Sequence, residues 1–199
     1  MRISLAVVAI LVSAGSAPAQ TIDSVYTDFD PMQCMVFSSG DPEAGEPRQA
    51  ACPGFGGYPV LLQTMEDNAS LYFGFPPQGE LVSRWASFLD TGTPHAVIEW
   101  RILSENDRTV PLATILRWSV AVPERENPVE VLVVNKVGLI ARWEGCIAGY
   151  VVATGNPGAN EAAREIADAA GAAPECDPTL PVIEEGTVPL PRYMLYGYD

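Results

Sequence analysis

The sequence predicts an α+β fold that is mainly antiparallel β-sheet, a sandwich or half-open barrel carrying one packed helix near 160–170. Two observations carry this. Short apolar or alternating runs recur along the chain, as in VLLQTM (60–65), AVIEWRIL (96–103), LATILRWSV (112–120) and EVLVVNKV (130–137), with turn-forming residues between them. Only one stretch, 160–170, has helical spacing with a break on each side. Seven or eight short strands and one late helix give a sheet-dominated domain.

The elements follow in order. Residues 1–20, MRISLAVVAILVSAGSAPAQ, run from a positive Arg2 through an apolar core to Ala17-Pro18-Ala19. That order is a secretory signal peptide, with cleavage expected after Ala19, and its apolar run is too short to span a bilayer. The expected organisation is a signal peptide over 1–19, a single β-rich domain over 20–171 and a Pro-rich tail over 172–199. Residues 24–29 and 34–37 read as strands. Residues 38–50, rich in Gly, Pro and acid, read as a surface loop, and 51–59 as a tight bend. Runs 60–65 and 70–75 pair through Glu66-Asp67-Asn68-Ala69. Residues 76–94 read as a loop with a helical turn at 81–89.

Runs 96–103 and 112–120 form a hairpin through Glu105-Asn106-Asp107-Arg108. Its even positions, Ile98, Trp100, Leu116 and Trp118, are apolar, whereas Glu99, Arg101 and Arg117 carry charge. A period of two turns the first set inward and the second outward. The expected register sets Trp100 opposite Leu116 and Glu99 opposite Arg117, an ion pair on a solvated face. Run 130–137 reads as a strand buried on both faces, and 139–143 and 147–153 as further strands. In the helix, Asn160 is the expected N-cap, Ala162, Ala163, Ile166, Ala167 and Ala170 the packed face, and Gly171 the stop. Five prolines beyond 172 keep the tail out of any central strand.

The four cysteines, Cys34, Cys52, Cys146 and Cys176, are read through export, which favours disulfides. Three connectivities exist. Cys34–Cys52 and Cys146–Cys176 are favoured, because each closes a short local loop. A zinc site would need clustered cysteines with histidines, and His95 is the single histidine. The expected location is periplasmic or extracellular.

The formal net charge is −14, and loss of Arg2 with the leader makes it −15. With no basic stripe, nucleic acid and anionic lipid are disfavoured as partners. A cationic protein or a cell-envelope ligand fits the charge, and nothing calls for a cofactor or metal. Motif searches give no G-x-S-x-G, S-x-x-K or H-E-x-x-H. Gly54, Gly56 and Gly57 fail the phosphate-loop spacing and read as a turn. A serine triad would have to join His95 to distant partners. Glu99, between Ile98 and Trp100, is the one candidate catalytic carboxylate.

CPGFGGYPV (52–60), IEWR (98–101) with ATILRW (113–118), and NPGAN (156–160) leading into AREIAD (163–168) together resemble a group of small exported bacterial proteins of unknown function. The resemblance covers about 25–170, implies export and one domain, and carries over no catalytic residue. The function expected is a non-enzymatic binding or interaction domain, one version being an inhibitor of a cationic hydrolase. An exported carboxylate-dependent hydrolase using Glu99 is the alternative.

Overall fold

The computed structural model describes residues 21–77, 85–105, 108–123, 125–141, 144–175 and 181–196. The expected signal peptide therefore lies outside the described residues. The fold is α+β and mainly antiparallel, and among the described residues no sheet closes into a barrel. A six-stranded sheet runs in the order β1 (Thr21–Asp28), β7 (Gly92–Glu105), β8 (Arg108–Val120), β9 (Val129–Lys136), β10 (Cys146–Val152), β11 (Val182–Glu184). A second sheet runs β2 (Met35–Ser38), β3 (Arg48–Cys52), β4 (Val60–Met65), β5 (Asn68–Phe73). A third pairs β6 (Trp85–Phe88) with β12 (Tyr193–Tyr196).

The alternation read from the sequence decides which face meets which layer. Ile98, Trp100, Leu116, Trp118, Val131 and Val133 of the larger sheet are buried against Val60, Leu62, Leu71 and Phe73 of the second. Each such side chain contributes roughly 1.5–3 kcal/mol of burial. The opposite face holds Ala113, Ile115, Leu132, Val134 and Val151, covered by α1 (Ala159–Ala172). Ala159, Ala163 and Ala167 repeat every four residues and are fully buried there. Their small side chains let the helix lie close on the sheet.

Several expectations need correction. Twelve strands are present among the described residues. Residues 85–88 form strand β6 rather than a helical turn; residues 78–84 lie outside the described residues. β3 begins at Arg48, inside the stretch read as loop. No strand forms over 139–141, and 142–143 lie outside the described residues. Asn160 does not cap α1: Gly158 is the N-cap, and Asn160 Oδ1 instead accepts from Arg117 Nη2 at 3.2 Å. Gly171 is not the stop either. It lies inside the helix, where a Cβ would meet Leu112 Cβ at 2.6 Å. The tail supplies only edge strands, as its prolines require: β11 runs parallel to β10 and β12 pairs with β6.

The hairpin keeps the expected faces but not the expected register. Trp100 lies opposite Thr114, and Glu99 opposite Ile115. Near the turn Glu105 pairs with Arg108, and this pairing runs as far as Ile102 opposite Pro111. Arg101 then pairs with Ala113, so Leu112 is an extra residue on β8. The bulge restores Ile98, Trp100, Thr114 and Leu116 to one face. Leu112 is the residue that packs on Gly171.

Cys34 and Cys52 are joined as expected, 18 residues apart in sequence. Cys146 is disulfide-bonded too, and Cys176 lies outside the described residues. Cys52→Ser is expected to cost about 3 kcal/mol, the loop-closure value for a ring of this size. Urea midpoints check it: the difference should appear without reductant, and with reductant, which opens the Cys146 bond as well, wild type and variant should converge.

Candidate functional site

Glu99 points to the helix side of the larger sheet, and that side is not solvated. Arg164 of α1 donates from Nε to Glu99 Oε1 at 2.7 Å and from Nη2 to Oε2 at 3.3 Å. Ser24 of β1 donates its hydroxyl to the same Oε1 at 2.5 Å. Beside it, Arg101 forms a two-pronged pair with Asp168, at 2.7 and 2.8 Å, and donates to Ser24 Oγ at 2.6 Å. Tyr26 adds a hydrogen bond to Arg164. Two carboxylates and two guanidiniums thus fasten α1 to β1 and β7.

The Glu99 side chain is only 13% exposed. Its partner is Arg164 rather than Arg117, and the second carboxylate, Asp168, is taken by Arg101. A carboxylate held by two guanidinium nitrogens and a hydroxyl has little freedom to act as a general acid. The arginine pKa values are raised, that of Arg101 chiefly by its hydrogen bond to Asp168 and that of Arg164 chiefly by its hydrogen bond to Glu99. A raised cationic pKa adds stability that is complete below the unfolded arginine value and fades only above it. The arginines therefore stay charged throughout the working pH range. Glu99→Gln is expected to cost about 1–2 kcal/mol, above an exposed pair and below a fully buried one. A double-mutant cycle with Arg164→Met measures the coupling, which should be about 1 kcal/mol.

A second polar group gathers around His95, in the irregular stretch of β7 between Pro94 and Ile98. His95 Nε2 lies 2.8 Å from Ser119 Oγ and 3.2 Å from Glu130 Oε2. Ser119 donates its hydroxyl to Glu130 Oε1 at 2.5 Å, and the Glu130 N–H donates to Thr154 Oγ1 at 2.7 Å. Serine, histidine and acid are together, but not in the order of a nucleophilic relay. That chemistry needs Nε2 to accept the serine proton while the acid holds Nδ1. Here the serine proton is directed to the acid, and both groups meet the same ring nitrogen.

An open groove of about 460 Å³ is lined by Leu89, Asp90, Thr91, Ala121, Val122 and Arg125. Asp90 within it accepts from Arg192 Nη2 at 3.3 Å. A small internal space of about 20 Å³ near Ser87, Asn135 and Tyr150 has room for a single water. No group of three or more metal-ligating side chains occurs among the described residues. The bend at 52–59 holds one short turn with positive φ at Gly56 and Gly57, as its glycines foretell. Gly54 brings backbone against the Trp100 ring.

One acidic stretch runs up to Arg48, the first residue of β3. Residues 21–47 hold six carboxylates, Asp23, Asp28, Asp30, Asp41, Glu43 and Glu46, and no lysine or arginine. None of the six forms an ion pair with another described residue. The same region exposes Met32 (90%), Met35 (71%), Val36 (43%) and Phe37 (49%).

No protein-family model, curated protein or solved structure matches the chain. Sequence reasoning had named Glu99 and His95 but missed Arg164, Asp168, Ser119 and Glu130. Arg164 and Asp168 had a readable signal, since they lie four apart on the predicted helix and share a face. Ser119 and Glu130 meet only through the β8–β9 register.

Proposed function

We propose that the protein is an exported, non-enzymatic binding domain for a basic protein, acting in the periplasm or outside the cell. The carrying observation is the acidity of residues 21–47 beside exposed apolar side chains. A field of one sign speeds encounter with a partner of the other and discourages self-association. The Cys34–Cys52 bond supports an oxidising location. Among the described residues, no helix is long and apolar enough to cross a membrane.

Titrating a basic lysozyme into the leaderless chain tests this reading. The expected result is saturable binding that weakens steeply as salt rises and lowers lysozyme turnover. The alternative, a carboxylate hydrolase, requires Glu99 to leave Arg164. Turnover of a glycan by the chain itself, abolished in Glu99→Gln with no binding of basic proteins, would replace the present reading.

A further inference from the structure

We propose that β2 is the docking edge, and that its occupant is an extended segment of a basic protein in which lysine or arginine alternates with apolar side chains. The proposal rests on the binding-domain reading and names the surface and the partner chemistry. β2 pairs on one side only, with β3, and no described strand lies on its other side. Among the described residues, that backbone edge has no strand partner and can accept an added strand. Met32, Met35 and Phe37 stand in water at the start and along the length of this edge. Exposed apolar groups clustered in this way mark an interaction surface.

The edge is also held in shape. Asp30 accepts from the Met32 N–H at 2.9 Å and from Gln33 Nε2 at 3.2 Å, fixing the turn before β2. Cys34 is tied to Cys52. Asp41 accepts from the Glu43 N–H at 3.0 Å in the turn after it. A preformed edge loses less conformational entropy on binding. Between Val36 and Ser38 the pairing with β3 shifts by one residue, making Phe37 a bulge. A bulge shortens the regular edge and re-aims its side chain.

Charge selects among occupants. Four carboxylates, Asp30 before β2 and Asp41, Glu43 and Glu46 after it, flank the apolar anchors, against one nearby cation, Arg48 at the start of β3. A second copy would bring the same carboxylates into opposition, and an anionic lipid surface would be repelled. A basic segment neutralises them and supplies apolar groups to Met35 and Phe37.

The probe is a capped peptide alternating lysine and valine, titrated into the leaderless chain and followed by amide chemical shifts and calorimetry. The expected result is binding with the largest shifts in residues 32–38. The exposed double variant Met35→Ser/Phe37→Ser should bind at least about tenfold more weakly at an unchanged melting temperature. The corresponding change on another exposed edge, Met194→Ser/Tyr196→Ser, should leave affinity unaltered. Equal binding of a lysine–serine peptide would overturn the role of the apolar anchors. Loss of binding only in the β12 variant would overturn the surface and leave the binding-domain reading standing. Self-association abolished by Phe37→Ser would overturn the occupant. Failure of the peptide to bind while lysozyme still binds would overturn this proposal alone; failure of both would overturn the two together.

Discussion

Trp100→Ala is expected to destabilise the protein by about 3–5 kcal/mol, the usual range for removing a fully buried large aromatic. Trp100 is wholly buried between the two sheets. Its ring meets Phe73 at 6.0 Å and Phe55 at 6.3 Å between centroids, and its indole N–H donates to Thr27 Oγ1 at 2.8 Å. Alanine would leave a void that these neighbours, fixed in two strands and a turn, cannot fill. Against a typical total of about 5–15 kcal/mol, the loss leaves the fold barely stable or unfolded. Trp100→Phe keeps most of the volume and should cost about 1–2 kcal/mol. Urea unfolding followed by far-ultraviolet circular dichroism separates the three proteins. An alanine variant within half a kcal/mol of wild type would contradict the packing described.

Ala163→Glu is expected to unfold the domain near neutral pH. Ala163 has no exposed surface, and it lies between α1 and the sheet face bearing Ile115 and Val134. The helix sits close because that position is small. Glutamate there either separates the layers or buries a carboxylate with no cation arranged for it, at a cost of several kcal/mol. Burial raises the folded-state pKa of such a group. The charge-related deficit is therefore absent below the unfolded glutamate value of about 4.3, grows as pH rises past it and is complete above the raised folded value. Ala169→Glu, on the exposed side of the same helix, should change stability by less than about 0.5 kcal/mol. Melting curves across pH distinguish the two, and equal melting temperatures would place α1 elsewhere.

Where structure follows from local pattern, the sequence was readable. β4 begins and ends where its apolar run does, and β9 is buried on both faces as its valines imply. The period of two along β7 and β8 assigned their inward faces correctly. The register escaped because it depends on one extra residue, Leu112, which has no distinguishing chemistry of its own. β6 escaped because its partner, β12, lies over a hundred residues away, and four residues have little signal alone. Glu99 was placed on the correct face and given the wrong surroundings. Alternating charge reads as solvated unless a helix with matching charge is known to cross it, and that crossing is a tertiary fact. The reach of β2 into solvent was hidden for the same reason: MVFS announces a strand but not which of its sides is left uncovered.

Lys136 carries the only ε-amine in the sequence. It is 5% exposed and donates to the Ala173 carbonyl at the C-terminal end of α1, where a cation also complements the helix dipole. The folded protein thus withholds its ε-amine from reagents in solution. Acylation of that amine requires the helix end to come away from β9, so modification becomes a clock for opening rather than a map of the surface. Mass spectrometry during acylation should show one added group at Lys136 arriving slowly and accelerating with urea. The same fact governs covalent capture of a partner: amine-to-amine linkers have no side-chain foothold on this fold, whereas carboxylate-activating reagents find one at the rim of β2.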